Sequence, residues 1–340
     1  MTGSALVTGG GGFLGGAIVD ALLARGADVA SVSRGRYPAL EQKGVATLQA
    51  DLATGGQALA SLLRERRVDT VFHCAARPGV WGPAPAYVAA NVTATENVIA
   101  ACREADVPRL VFTSSPSVVF GGEDHVNAGP DLPYPVRYLA HYPRTKAISE
   151  RAALAANGEG LATVALRPHL IFGPGDPNLV PRLLERADAG RLRVVGDGTS
   201  EVSLTFVENA AAAHLAAADA LAADGPGAAC AGRAYFVNNE EPVRLWQWID
   251  RVLEGTGRAP VRRRISPGVA YVAGALLEGA WRLLGRRNAE PPMTRFVALQ
   301  LATSHSYDMG PFREAVDGRY VEPVPLDEAT ERTIAWARGL

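Results

Sequence analysis

A glycine-rich turn near the start of the chain constrains its fold more than any other feature. Residues 5–8 form a short apolar segment, and three glycines follow it with the spacing TGxxGxxG before a helical pattern begins. Because glycine has no Cβ, such a turn can be tight, and its backbone amides can approach a pyrophosphate bound at the helix N-terminus. We therefore expect a dinucleotide to contact this turn, through Gly9, Gly12, Phe13, Leu14 and Gly15.

The rest of the first half alternates short apolar runs with longer helical patterns, which predicts a doubly wound parallel sheet of the Rossmann type. Strands are predicted over 5–8, 29–33, 46–49, 70–73, 110–114 and 162–166. Helices are predicted over 13–25, 56–66, 84–105 and 141–157, and later over 209–222, 245–255 and 269–284. The turn-rich sequence GPGDPN then predicts a boundary between a nucleotide-binding domain over 1–175 and a smaller, partly interleaved substrate domain over 176–340, with 205–240 returning to the first.

Length, charge and cysteine content exclude several classes of protein. The 340 residues suffice for one large α/β domain with an appendage, and the net charge of −1 provides no field that would gather nucleic acid. The 3 cysteines lack CxxC or Cys/His spacing, so neither a disulfide framework nor a metal site is predicted. No basic and apolar leader precedes the first strand, which predicts a cytoplasmic protein.

The end of the second predicted strand favours NADP(H) over NAD(H). Enzymes that use NAD place a carboxylate there to bind the ribose hydroxyls, whereas this chain has Ser33 and Arg34. A carboxylate would repel a 2′-phosphate, but serine and arginine can bind it through charge-assisted hydrogen bonds. Further cofactor contacts are expected at the ends of the third and fourth strands, from Asp51, Leu52, Ala75 and Ala76, and later in the chain from Asn91.

Tyr142 and Lys146 form a YxxxK pair within the helix predicted over 141–157. Residues four apart share one helix face, so the two side chains can project together into a cleft. The ammonium favours the phenolate, and we therefore expect it to lower the pKa of Tyr142 towards the range useful for proton transfer. Ser115, after the fifth predicted strand, is placed to hydrogen-bond the same substrate oxygen, and Asn91 is a candidate for holding a water that links Lys146 to solvent.

These motifs carry a family resemblance. The segments TGGGGFLG, HCAA, NVTATENVI, TSS, YPRTK and LRPHLIFGPGD resemble the extended short-chain dehydrogenase/reductases, and within them the 3β-hydroxysteroid dehydrogenase branch. AARPGVWG, TSSPSVVF, RPHLIFGPGD and EPPMTRFVALQLATSHSYD are similar to sequences of the bacterial 2-alkyl-3-oxoalkanoate reductases of long-chain olefin biosynthesis. The resemblance implies that Ser115, Tyr142 and Lys146 are catalytic, that Tyr142 and Lys146 also contact the cofactor, and that Pro168 closes on the nicotinamide.

The reaction expected from these residues is hydride transfer between a nicotinamide and a ketone, with Tyr142 as proton donor. An alternative is a 3β-hydroxysteroid or sterol dehydrogenase of the same branch. A nucleotide-sugar epimerase is disfavoured, because Phe120, or Val119, stands where epimerases usually carry the tyrosine of a VYG motif. A redox sensor that binds NADP(H) without turnover is also disfavoured, since such sensors commonly lose the YxxxK pair.

The expected substrate is a small hydrophobic molecule, such as a long-chain β-keto or β-hydroxy acid. Residues after the fourth strand should emerge beside the nicotinamide, with Trp81 as an apolar wall and Arg77 or His169 meeting a carboxylate. Segments 177–186 and 269–284 are candidates for an elongated wall, although the second could instead contact a subunit or a membrane surface. A homodimer or an association with other enzymes of the pathway is also compatible with the sequence. The predicted substrate contacts are Arg77, Val80, Trp81 and His169.

Overall fold

The computed structural model describes residues 3–340. Its strands are β1 (Ser4–Thr8), β2 (Asp28–Ser33), β3 (Ala46–Gln49), β4 (Thr70–His73), β5 (Arg109–Thr113), β6 (His125–Ala128), β7 (Ala162–Pro168), β8 (Ile171–Phe172), β9 (Val194–Val195), β10 (Glu201–Val202), β11 (Thr205–Phe206), β12 (Ala234–Val237), β13 (Val243–Arg244), β14 (Arg264–Ile265) and β15 (His305–Tyr307). Its α-helices are α1 (Phe13–Ala24), α2 (Pro38–Gln42), α3 (Gly56–Glu65), α4 (Ala84–Tyr87), α5 (Ala94–Glu104), α6 (His141–Ala155), α7 (Leu179–Asp188), α8 (Val207–Asp224), α9 (Leu245–Gly255), α10 (Pro267–Leu283), α11 (Arg295–Ala302), α12 (Gly310–Ala315) and α13 (Leu326–Ala337).

Seven parallel strands form the central sheet in the order β12-β7-β5-β4-β1-β2-β3. The chain winds outwards in one direction from β1 and in the other from β4, so the strand order reverses between these two neighbours. A ligand crevice is expected outside the carboxyl ends of the strands at such a point. In register, Thr8 of β1 lies opposite Val32 of β2 and His73 of β4, so the glycine turn emerges at this crevice.

Helices cover both faces of the sheet and bury it. Helices α1 and α8 pack on one face, where small side chains of α8 let it lie close to α1. Helices α3 and α5 pack on the other face, and their apolar stripes close a second core. Because both faces are covered, the strands are almost continuously apolar, as in other buried parallel sheets.

The later part of the chain adds smaller units at the crevice edge. Strands β13, β10, β15 and β6 form a second, four-stranded sheet, and the pairs β8–β11 and β9–β14 form two separate two-stranded sheets. A separate apolar core joins α7, α9 and α13. The proposed division at residue 175 stays a prediction, although β12, well beyond that residue, pairs with β7 in the central sheet.

The predicted strands agree with the structure to within two residues at their ends, but two features were not predicted. The helix expected over 84–105 is interrupted by a π-helical turn at Val88–Thr93. The hydroxyls of Thr95 and Ser149 donate to the Asn91 carbonyl within this turn, at 2.6 and 2.8 Å. The seventh strand, β12, is only four residues long and follows a turn-rich segment, so its pattern alone did not distinguish it.

Among residues 3–340, no helix is both long and apolar enough to cross a lipid bilayer.

Candidate active site

Two concave spaces meet at the carboxyl edge of the central sheet. The first, here called the groove, has a volume of about 540 Å³ and runs past the glycine turn and the ends of β2, β3 and β4. The second, here called the cavity, has a volume of about 740 Å³ and lies between the central sheet and the later helices. Gly12, Cys74 and Ala76 line both spaces. A molecule lying along the groove can therefore reach the cavity.

The glycine turn is built for close approach of a ligand to the backbone. Gly9 has a φ of +71°, in the left-handed region that favours glycine, and a Cβ on Gly15 would collide with the Gly9 carbonyl oxygen. Helix α1 begins at Phe13, and no side chain in residues 3–340 caps this end. The backbone amides of the first turn are thus available to an anion, as a pyrophosphate requires.

Ser33 and Arg34 both line the groove where β2 ends. The Ser33 hydroxyl oxygen is buried and, within the described chain, has no hydrogen-bond partner. Arg34 has an exposed side chain with no carboxylate at ion-pair distance in residues 3–340, whereas Arg36 is paired with Glu41 at 3.2 Å. An orphaned hydroxyl beside a free guanidinium fits a phosphate group, so the residues present suit the predicted cofactor.

Most of the other residues predicted to contact the cofactor also line one of the two spaces. Gly15 is an exception, since it shapes the turn instead, and Asn91 is another. Tyr37 was not predicted: its ring lies over Gly11 and forms part of the groove wall, and no spacing rule would have identified it. The predicted cofactor residues on the groove are Gly9, Gly12, Ser33, Arg34, Asp51, Leu52, Ala75 and Ala76, and those on the cavity are Phe13, Leu14, Tyr142, Lys146 and Pro168.

Asn91 joins two segments of the site by hydrogen bonds. Its side-chain oxygen accepts from the Arg77 backbone amide at 2.7 Å, and its side-chain nitrogen donates to the Thr145 hydroxyl at 2.9 Å. Thr145 precedes Lys146, so Asn91 fixes α6 relative to the chain that leaves β4. π-Helical turns are often found at functional sites, and this one carries such a link. The water-mediated role predicted for Asn91 stays a prediction.

Ser115, Tyr142 and Lys146 all line the cavity. Ser115 follows β5, and its hydroxyl oxygen accepts from the Ser117 backbone amide at 3.3 Å at the start of a 3₁₀ turn. Tyr142 and Lys146 lie one turn apart at the start of α6, and the Ser115 hydroxyl is near enough to Tyr142 to influence its pKa. The three side chains predicted to be catalytic are therefore brought together at one end of the cavity.

The electrostatics of the pair differ from our expectation. Desolvation raises the pKa of Tyr142, and the neighbouring Ser115 hydroxyl only partly offsets this. The Lys146 ammonium donates to the Thr113 carbonyl at 2.6 Å and lies 4.1 Å from the centre of the Phe112 ring, so its charge is directed at the sheet. Burial lowers the pKa of Lys146 to about 8 against the opposing charge of Glu150. Tyr142 is thus a protonated phenol at neutral pH.

A buried ion pair joins α6 to β7. Glu150 is fully buried one turn after Lys146, and it accepts from Arg167 at 2.8 and 2.9 Å and from the Tyr134 hydroxyl at 2.6 Å. Burial alone would raise the pKa of Glu150, but the Arg167 guanidinium holds it below its usual value. Because Arg167 belongs to β7 and precedes Pro168, this pair fixes α6 to the strand that ends at the cavity. It was not predicted, although the spacing of Glu150 from Lys146 could have suggested it.

Of the four predicted substrate contacts, only His169 lies on the cavity wall. Its Nδ1 donates to the Ser203 carbonyl at 2.6 Å, and burial lowers the pKa of His169 to about 4, so it is neutral and supplies no charge for a carboxylate. The Arg77 guanidinium instead packs 5.2 Å from the centre of the Tyr87 ring. The Trp81 indole donates to the Arg286 carbonyl at 3.0 Å. Pro78 and Gly79 line the cavity in their place, and Val80 does not reach it.

Three helices from the later part of the chain line the cavity. Helix α7 contributes Leu179, Leu183 and Arg186, in agreement with the expectation for segment 177–186. The helix predicted over 269–284, which corresponds to α10, contributes no lining residue. Helices α9 and α11 form the wall instead, and their role could not be recognised from sequence. Their lining residues are Leu245, Trp246, Trp248, Ile249, Val297, Gln300 and Leu301.

Comparison with known proteins establishes the family. The profile of the 3-beta hydroxysteroid dehydrogenase/isomerase family matches residues 6–265. The chain belongs to this family. It is 48% identical over 329 residues to 2-alkyl-3-oxoalkanoate reductase of Stenotrophomonas maltophilia (strain K279a), covering 96% of this chain and 97% of the relative. It is 35% identical over 334 residues to the decarboxylating sterol-4-alpha-carboxylate 3-dehydrogenase of Mus musculus, covering 96% and 89% of the two chains.

The fold agrees with the same assignment. The UDP-glucuronic acid 4-epimerase of Bacillus cereus, solved in complex with NAD, superposes with a TM-score of 0.73 over 99% of both chains, at 18% identity. At that identity the likeness concerns the fold alone. Together with the family match, it confirms the predicted Rossmann-type architecture. The chain is an oxidoreductase of the short-chain dehydrogenase/reductase type, a class that uses a nicotinamide cofactor.

Proposed function

We propose that this oxidoreductase uses NADPH to reduce 2-alkyl-3-oxoalkanoates to 2-alkyl-3-hydroxyalkanoates in olefin biosynthesis. The observation that carries the proposal is the cavity, whose lining combines Ser115 and Tyr142 with apolar side chains and with arginines that have no carboxylate at ion-pair distance in residues 3–340. An apolar wall of this length suits alkyl chains, and a cation suits an acid.

The proton chemistry follows from the three catalytic side chains. When bound, the nicotinamide supplies the hydride to the ketone carbon. Tyr142 donates its phenol proton to the carbonyl oxygen, and its raised pKa keeps that proton in place at neutral pH. The Ser115 hydroxyl orients the same oxygen, and Lys146 holds a positive charge one helical turn away, against the Thr113 carbonyl. A phenol that is protonated at neutral pH is in the state that proton donation during reduction requires.

The carboxylate of the substrate has a recognition group on α7. Arg186 lines the cavity and is half-buried, and no carboxylate of residues 3–340 lies at ion-pair distance from it. Burial and repulsion by Arg182 lower the pKa of Arg186, so an anion beside it would be stabilised. Arg193 lines the same region and likewise has no carboxylate partner in the described chain.

The two named relatives support a shared substrate chemistry. A 2-alkyl-3-oxoalkanoate carries its carboxylate on the carbon next to the ketone, and a sterol 4-carboxylate carries its carboxylate next to carbon 3. A β-keto acid is therefore the common element. A sterol acid is the second candidate, favoured by the 35% identity to the murine enzyme.

The test measures NADPH oxidation in the presence of a 2-alkyl-3-oxoalkanoate, and again in the presence of the matching ketone that lacks the carboxylate. For a sterol 4-carboxylate it measures the reverse reaction, in which the sterol is oxidised and NADP⁺ is reduced. Arg186→Met should lower kcat/KM for the keto acid about ten- to a hundred-fold, since a hydrogen bond to a charged group is worth roughly 1.5–3 kcal/mol. The neutral ketone should be little affected, and the control Arg191→Met should change neither. Efficient sterol oxidation without keto-acid reduction would overturn the proposal.

A further inference from the structure

Helix α10 presents a row of exposed apolar side chains. Val269, Val272, Leu276 and Leu283 lie at spacings of three, four and seven residues, which places them on one face, and Leu284 follows directly. We call these five residues the apolar stripe. They are between 57% and 91% exposed, and they make up five of the twelve large apolar side chains exposed in residues 3–340. Exposed apolar side chains concentrated in this way mark an interaction surface.

The opposite face of α10 is fixed against α11, so the stripe cannot turn inward. Glu278 is buried and accepts from the Arg295 backbone amide at 2.8 Å, and it pairs with the Arg295 guanidinium at 2.8 Å. A Cβ on Gly274 would lie 2.6 Å from the Thr294 carbonyl carbon, so the two helices touch at their backbones. The helix is therefore held with its apolar side outwards.

Arginines stand at both ends of the stripe. Three precede α10 and two follow it, all exposed, and none has a carboxylate at ion-pair distance in the part of the chain that the structure describes. We call these the flanking arginines. Aliphatic side chains between two unpaired positive clusters suit a partner with an apolar interior and a negatively charged outer layer. The flanking arginines are Arg262, Arg263, Arg264, Arg286 and Arg287.

We propose that the apolar stripe and the flanking arginines dock the protein on the surface of an anionic lipid bilayer. A second copy of the chain fits the stripe poorly, because pairing two α10 helices in either orientation would bring positive clusters together. A bilayer with anionic lipids offers acyl chains to the leucines and valines and negative headgroups to the arginines. Each arginine near such a surface strengthens binding about five-fold.

Docking of α10 would bring the cavity rim towards the lipid. The segment that joins α10 to α11 contains Glu290, which lines the cavity and pairs with Arg182 at 3.0 Å. In the same segment, the Pro292 carbonyl accepts from Arg186 at 3.4 Å. If the proposed function holds, long-chain acids that partition into the bilayer would reach the cavity from this side. That consequence rests on the proposed function, whereas the docking itself does not.

The test is co-sedimentation of the full chain with phosphatidylcholine vesicles, with and without phosphatidylglycerol. The wild type should sediment with the anionic vesicles and lose binding as salt is raised. The double variant Leu276→Ser with Leu283→Ser should bind at least about ten-fold more weakly. The matched control, Val136→Ser with Val321→Ser, removes two equally exposed apolar side chains elsewhere and should bind as the wild type does.

Two further measurements separate membrane docking from a failure of the proposed function and from dimerisation through the apolar stripe. Turnover of a short, water-soluble β-keto acid without vesicles should be unchanged in both double variants, and its absence in the wild type would count against the proposed function only. Sedimentation velocity without lipid should give the same size for wild type and the leucine variant. Anionic vesicles that bind neither protein, or bind both equally, would overturn the docking proposal. A wild-type dimer that the leucine variant dissociates would assign the stripe to a second copy instead.

Discussion

The groove and the cavity are adjacent, but they are built in different ways. The groove is formed by backbone and small residues at the ends of successive strands, together with Ser33 and Arg34. The cavity takes part of its lining from α7, α9 and α11, which are widely separated in sequence. The groove can therefore be recognised from short motifs, because each strand end contributes one local pattern. The cavity depends on how distant helices pack, and no local pattern encodes that.

The largest effect is expected from a substitution of Tyr142, which lines the cavity close to its junction with the groove. Tyr142→Phe should lower kcat about a hundred- to ten-thousand-fold, because it removes the proton donor and leaves the groove intact. NADPH affinity should stay within a few-fold of the wild-type value. Stopped-flow hydride transfer and fluorescence titration measure the two quantities. Tyr138→Phe, whose hydroxyl donates to the Val118 carbonyl, is the matched control. Near-normal turnover in Tyr142→Phe would contradict the proposed mechanism.

The outcome of the sequence predictions follows the same division. The six predicted strands and the glycine turn were placed correctly, because alternating buried strands and helices leave a strong local pattern. Ser115 and Tyr142 were predicted to meet and do so, since the register of β5 and the start of α6 fix them. Arg77 and Trp81 were expected on the cavity wall from their position after β4, but their side chains pack on Tyr87 and reach the segment after α10. Whether these two side chains face the cavity depends on tertiary packing, which a local sequence pattern does not encode.

Loss of the Glu150–Arg167 pair should have the next largest effect, on stability. Removing one member of a buried ion pair leaves the other charge uncompensated and costs about 3–5 kcal/mol. Glu150→Gln should therefore lower the free energy of unfolding by about that amount in urea titrations. Glu65→Gln, on the exposed face of α3, should change it little. Equal effects of the two variants would show that the pair does not anchor α6 to β7.

Cofactor choice tests the groove alone. Arg34→Ala should weaken NADPH about ten- to a hundred-fold, since one charge-assisted hydrogen bond is worth roughly 1.5–3 kcal/mol, and should leave NADH nearly unchanged. Arg36→Ala is a close control, because Arg36 is paired with Glu41 and does not line the groove. Fluorescence titration of both cofactors gives the ratio. A wild type that prefers NADH would refute our interpretation of Ser33 and Arg34.

The smallest effect expected near neutral pH is a change of kcat/KM with pH. It would report the protonation of Lys146, which lines the cavity. Burial lowers the pKa of Lys146 to about 8, so the ammonium is present below that pH and is lost above it. The pKa of Tyr142 is raised, so the phenol keeps its proton across the same range. The kcat/KM for reduction should therefore be constant on the acid side, fall about two-fold by pH 8, and continue to fall about ten-fold per unit beyond it.

The variant Lys146→Arg tests whether Lys146 or another group causes the decline near pH 8, because a guanidinium stays charged well above that pH. Its overall rate should be lower, but the decline near pH 8 should disappear. If the variant keeps the same midpoint, another group titrates and Lys146 does not set the alkaline limit. The free energy of unfolding should rise with pH over the range in which kcat/KM falls. The folded pKa lies below the unfolded value of Lys146, so the free energy of unfolding of the wild type should rise between about pH 8 and 10.5, and that of the arginine variant should not.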